Sequence, residues 1–184
     1  MSDPTPPEGS EANPTPPDAG ETNDRQPRYR ALTTVAEQIA AIDTLIGLAQ
    51  HSIRVYDVDL SGMGWNAVDR TRSLAAFLRA SPAARIEIIV RDTGWIERSC
   101  PRLMQLLKFH GHVITIRRAG EDARLAMDPL MIVDGVHFLH RFHVSQPRAA
   151  LSIDDPVAAT PLVTRLDAIS ETAEPGIAPT TLGL

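Results

Sequence analysis

The chain has 184 residues, 43% of them apolar and 22% charged, with a formal net charge of -5. That size suits one globular domain rather than two with separate cores, and the acidic balance excludes the bulk positive field that drives nonspecific nucleic-acid binding. The single cysteine, Cys100, excludes an internal disulfide and a metal site built from several thiolates. No run of about 18 apolar residues is present and the start lacks a signal-peptide pattern, so the expectation is a soluble, cytoplasmic chain with no membrane partner.

Residues 1–30 are proline-dense and poor in large apolar side chains, and Pro4-Thr5-Pro6-Pro7 recurs as Pro14-Thr15-Pro16-Pro17. Such a segment buries too little surface to offset its ordering entropy, and it reads as a disordered acidic tail. From Thr33 the pattern turns helical. Val35, Ile39, Ile42 and Ile46 recur at spacings of three and four, and Thr34 with Glu37 forms a capping-box pattern. Residues 52–57 alternate as a strand and dissolve into a loop at Ser61-Gly62-Met63-Gly64. A second helix is expected from about Asn66 to Ala80, with Leu74, Phe77 and Leu78 inward, then a strand over 86–90. Pro101 suits the first position of a third helix, which carries Leu103, Leu106 and Leu107 and stops at Gly111 before a strand over 113–116.

The order then changes. Two apolar runs, 130–133 and 136–141, are separated only by Asp134-Gly135, a strong hairpin signal. A short strand over 150–153 and a helix from about Pro156, with Val157, Leu162, Leu166 and Ile169 inward, complete the core. The expected boundaries are a tail over 1–30, a domain over 31–171 and a C-terminal tail over 172–184. The fold class is α/β: a mixed, mostly parallel sheet flanked by helices, with a β-hairpin in the C-terminal half.

The succession "AIDTLIGLAQHSIRVYDVDL", "ARIEIIVRD", "PRLMQLLKFHGHVITIRR", "DPLMIVDGVHFLHRF" and "IDDPVAATPLVTRLDAI" resembles a single half of the phospholipase D-like fold. It is similar, more closely, to a bacterial domain family of unknown function related to that fold. The phospholipase D superfamily is defined by His-x-Lys-x4-Asp, in which the His takes the phosphoryl group and the Lys binds its oxygens. With the Asp placed on Asp134, Met127 stands at the His position and Pro129 at the Lys position. A thioether forms no phospho-intermediate at neutral pH, and a proline offers a phosphate neither charge nor donor. Arg141-Phe142 replaces the Gly-Ser that the family carries after the Asp, and Val144 takes the Asn slot. Asp134 alone is retained, and an aspartate before glycine in a hairpin turn has a structural reason to be there. The resemblance also implies that a complete site needs two halves, so a homodimer is one expectation.

Among the remaining residues, His137, His140 and His143 are the densest titratable cluster. On a strand His137 and Arg141 share one face while His140 points to the other, which argues against one shared metal. Ligand crevices of open α/β sheets lie beyond the carboxyl ends of strands, which singles out Asp57, Asp59, Arg91, Asp92, Arg117, Arg118 and Asp134. Pairing among them, for example Arg91 with Asp57, is the structural alternative to a bound anion. Trp65 and Trp95 either wall such a crevice or pack over the sheet. Cys100 begins a helix, where exposed N–H groups lower a thiol pKa, but it has no adjacent base.

The leading expectation is an interaction or regulatory module without catalysis, with an unidentified protein partner and no cofactor or metal. A divergent phosphodiesterase or phosphate-ester hydrolase using Asp134, His137 or His140 with Arg141 is the rival. A third reading is an anion or nucleic-acid binder using Arg117, Arg118, Arg124, Arg141 and Arg148. The acidic balance argues against nucleic acid.

Overall fold

The computed structural model describes residues 26–178. Thr34 starts the first helix, α1 (Val35–Leu48): its hydroxyl accepts the Glu37 N–H at 3.2 Å and the Glu37 carboxylate accepts the Thr34 N–H at 3.0 Å. This is the reciprocal capping box expected from the two residue types three positions apart. The buried stripe of α1 is Gln38, Ala41, Ile42, Leu45 and Ile46, while Val35 is exposed. The inward face is therefore rotated from the one that Val35 and Ile39 suggest, and it includes a glutamine whose Nε2 donates to the Pro147 carbonyl at 2.8 Å.

The chain then alternates through β2 (Ser52–Asp57), α2 (Val68–Ala80), β3 (Arg85–Val90), a short α3 (Gly94–Ser99), α4 (Pro101–His110) and β4 (Ile114–Arg118). A 3-10 turn (Asp122–Leu125) leads to the hairpin β5 (Leu130–Val133) and β6 (His137–Arg141), followed by β7 (Ala149–Ile153) and α5 (Pro156–Thr172). Helix α3 lies where the sequence reads as loop. In α5 the inward residues are Ala159, Leu166 and Ile169, while Val157 is exposed on the first turn, contrary to expectation.

One strand straddles the expected tail boundary at residue 30, and another lies within the segment 172–184 assigned to a tail. β1 (Arg28–Leu32) pairs antiparallel with β7, and β8 (Glu174–Ile177) pairs antiparallel with β4. Both are edge strands, so they carry little of the apolar alternation that marks an internal strand. Pro175 is tolerated in β8 because an edge has one row of unpaired backbone groups, and Gly176 is required there: a Cβ would meet the Ile116 carbonyl at 2.6 Å. Residues 1–25 of the proline-dense segment lie outside the described residues.

The eight strands form one mixed sheet in the order β1-β7-β6-β5-β2-β3-β4-β8. Only β2 with β3 and β3 with β4 are parallel, so the parallel share is smaller than expected: β5, β6 and β7 follow one another through short connections that reverse direction, and the edge strands β1 and β8 run antiparallel to their neighbours. Helices α1 to α4 cover one face, where Ile53, Val55, Ile86, Ile88 and Leu139 meet Leu45, Leu74 and Leu103. Helix α5 covers the other, packing Leu166 and Ile169 over Tyr56, Ile89, Ile132 and Phe138.

Candidate functional site

Strands β2 and β6 each run antiparallel to β5, so their carboxyl ends share one edge of the sheet. Asp57 closes β2 and Arg141 closes β6, and both side chains point to the α1 face. The Arg141 Nη1 donates to Asp57 Oδ2 at 3.2 Å, with both side chains 9% exposed. Asp57 Oδ1 also accepts the Val58 N–H at 2.7 Å, and Arg141 Nη2 donates to the Val144 carbonyl at 3.3 Å. Burial pushes the Asp57 carboxyl above the usual carboxylate range, against the opposing pull of the Arg141 guanidinium and the Val58 N–H. The ion pair expected between Asp57 and Arg91 does not form. Arg91 follows β3 and donates through Nη1 to the Met127 thioether at 3.0 Å, and it has no carboxylate partner among the described residues.

Behind the pair lies a small pocket walled by Trp65, Tyr56, Met63, Pro129 and Leu139, with Asp57 and Arg141 at its polar end. It leaves about 20 Å³ for the centre of a water-sized sphere. Pro129 lines this pocket, and Met127 sits near the same edge with its thioether on Arg91.

Asp134 does not belong to this edge. Because β5 is antiparallel to β2, its end lies beside the start of β2, at the opposite side of the sheet. There Asp134 accepts the N–H groups of Gln50 at 2.8 Å, His51 at 2.8 Å and Ser52 at 2.7 Å. Its φ of 53° and the 72° of Gly135 are those of a hairpin turn. Its backbone is a turn's, and its carboxylate ties that turn to the connection between α1 and β2.

The histidines separate as strand alternation requires. His137 is buried on the α1 face and accepts the Asp154 N–H at Nδ1, 2.9 Å away, which assigns its proton to Nε2. His140 faces α5, with Nε2 3.3 Å from Asp128 Oδ2, while Asp128 also pairs with Arg165. His143 accepts the Ser145 N–H in a local turn. Among the described residues no three His, Cys, Asp or Glu side chains gather around one point suited to a metal ion.

The arginines of β4 are also engaged. Arg117 reaches Glu87 at 3.4 Å and Ser170 Oγ at 3.0 Å, and Arg118 and Arg124 share Glu174 at 3.0 and 3.7 Å. Asp59 and Asp92 accept the N–H groups two residues on, both at 2.8 Å. Trp65 is fully buried against the pocket and Trp95 packs on the core from α3. Cys100 is wholly buried, and burial pushes its thiol up, opposite to the lowering expected at a helix start.

Two residues that shape this region are absent from the sequence reading. Arg70, 2% exposed, pairs with Asp43 at 2.7 Å, donates to the Met63 and Ile39 carbonyls, and lies over the Trp65 ring at 5.5 Å. It fixes both the indole and the loop that carries it. Asp128 bridges His140 and Arg165. An arginine inside an amphipathic helix pattern carries no signal that separates it from a solvated one.

The fold is that of a single phospholipase D-like half-domain. The chain belongs to the family described as Domain of unknown function (DUF7931), which matches residues 34–178. Solved structures of the same fold include the archaeal chromatin protein TrmBL2, described as showing a novel mode of DNA binding, at a TM-score of 0.60 and 13% identity over 81% of this chain and 54% of that one. This chain thus spans about half of TrmBL2. Nuc from Salmonella typhimurium, a phospholipase D family member, is similar at a TM-score of 0.57 and 18% identity over 81% of this chain and 97% of that one. NucT from Helicobacter pylori is similar at 0.51 and 13% over 82% and 100%. At these identities the likeness is one of fold. No curated protein matches the chain.

Proposed function

We propose that this chain is a phospholipase D-like interaction or regulatory module without phosphodiesterase activity. The observation that carries the reading is the occupation of the edge: Met127 and Pro129 stand at the motif positions, and Arg141 is tied to Asp57 at 3.2 Å where small residues would leave room for a phosphate. Nucleophilic attack on phosphorus needs a nitrogen or oxygen nucleophile with a positioned acid or base. His137 and His140 lie on opposite faces of the sheet, each engaged locally, and supply no such pair at one point.

Charge also weighs against nucleic-acid binding. Of Arg117, Arg118, Arg124, Arg141 and Arg148, the first four are in ion pairs with Glu87, Glu174 and Asp57. Breaking those pairs to reach phosphates would offset much of the gain. A homodimer remains part of the proposal, because a half-domain presents its edge to a second copy.

A chromogenic phosphodiester incubated with the full chain, with and without divalent metals, checks this reading. No turnover above buffer is expected. Turnover that disappears in His137→Ala or His140→Ala would overturn it. Sedimentation that shows only a monomer at high concentration would remove the dimer.

A further inference from the structure

The sulfur atoms of the chain differ sharply in their access to water. Met63 and Met131 are 4% and 3% exposed, Met104 packs partly against the core, and Cys100 is wholly buried. Met127 is 37% exposed, the most open sulfur among the described residues. It lies between the 3-10 turn and β5, where its carbonyl accepts the Val144 N–H at 2.7 Å and the nearby Pro129 carbonyl accepts the Arg141 N–H at 2.8 Å. The backbone is therefore fixed while the thioether meets solvent.

The Arg91 Nη1 donates to this sulfur at 3.0 Å. A thioether is a weak acceptor, and a guanidinium carries five N–H donors, so the contact uses little of what Arg91 offers. The Arg91 main-chain N–H bonds the Asp57 and Val58 carbonyls at 3.2 and 2.9 Å, which holds the residue at the end of β3 whatever its side chain does. Oxidation of a methionine turns an apolar sulfur into a polar S–O group, which is disruptive in a core because nothing there solvates the new oxygen. At Met127 a cation already stands beside the sulfur. A hydrogen bond from an ionised donor is about twice as strong as a neutral one, so this contact strengthens when the acceptor becomes a sulfoxide oxygen.

We propose that Met127 is a peroxide-reactive residue whose sulfoxide oxygen is captured by the Arg91 guanidinium. A sulfur lone pair attacks one oxygen of hydrogen peroxide; the S–O bond forms and the O–O bond breaks. The departing oxygen leaves as water with the proton that the bound oxygen gives up. Sulfur is oxidised by two electrons and the peroxide is reduced by two. Methionine sulfoxide reductases reverse the change. The site makes this edge of the sheet responsive to oxidant, whether or not the edge catalyses anything.

The test exposes the native full chain to graded hydrogen peroxide and maps the added oxygen by peptide mass spectrometry. Met127 should be converted at a lower dose than Met104, Met63 or Met131. Thermal unfolding then reads the capture. The oxidised chain should melt no lower than the reduced one, whereas oxidised Arg91→Ala should melt about 3 °C below its own reduced form, because its sulfoxide has lost the cationic donor. Peroxide should leave the melting temperature of a combined Met127→Leu and Arg91→Ala variant unchanged, which assigns the loss to residue 127. Oxidation of Met104 at the same dose as Met127, equal losses with and without Arg91, or a loss that persists in the combined variant would each overturn the proposal.

Discussion

Asp57 and Arg141 stand 84 positions apart in sequence and close two strands of the same direction, 3.2 Å from each other and nearly out of water. An ion pair in that setting is costly to break and of little net worth to keep. Arg141→Met or Asp57→Asn alone leaves one buried charge unmatched and should lower stability by about 3–5 kcal/mol. Asp57→Leu with Arg141→Met removes both charges and should restore most of that loss. Urea unfolding of the three variants checks this, and a double variant as unstable as the singles would contradict it.

Asp134 sits in the β5–β6 turn, and its carboxylate holds the backbone that leads into β2. Asp134→Ala removes the acceptor of three backbone N–H groups at 2.7–2.8 Å and is expected to destabilise by about 3 kcal/mol or more. Asn also adopts positive φ and keeps one acceptor oxygen, so Asp134→Asn should cost about half as much. Thermal unfolding ranks the two, and equal losses would contradict a partial rescue by the one amide oxygen.

Tyr56 gives a pH signature. Its hydroxyl donates to the Ala123 carbonyl at 2.6 Å, and burial pushes its pKa up to about 12. The folded chain therefore holds this proton more tightly than the unfolded chain, whose tyrosine ionises near ~10. The stabilising term is full below that value and is lost as pH rises through about 12. Denaturant midpoints measured across this window should fall with pH, and Tyr56→Phe should flatten the fall.

Cys100 lies buried beneath α4, with its thiol pushed up by burial. Modification by a thiol reagent at neutral pH should be slow in the native chain and become fast only on unfolding. A stoichiometric burst in native buffer would show that the helix start is open.

The elements with strong internal periodicity were legible without coordinates. The Thr34–Glu37 box, Leu74 with Phe77 and Leu78, Pro101 opening α4, and the Asp134-Gly135 turn all rest on contacts within a few residues. The edge strands β1 and β8 were not, because their stability comes from β7 and β4 rather than from their own composition. Partner choice was likewise hidden: Asp57 and Arg91 end neighbouring strands, yet the aspartate pairs with Arg141, which arrives from the far side of β5.

The sequence alone determined that Met127 and Pro129 stand where the resemblance implies a His and a Lys. It also determined the alternation of helices and strands, since periodicity is a local property of the chain. Only the tertiary structure decided that Asp134 sits at the opposite edge from Asp57, and that Asp57 pairs with Arg141 rather than Arg91. Those facts depend on strand direction and on contacts across many tens of residues, which no local pattern encodes.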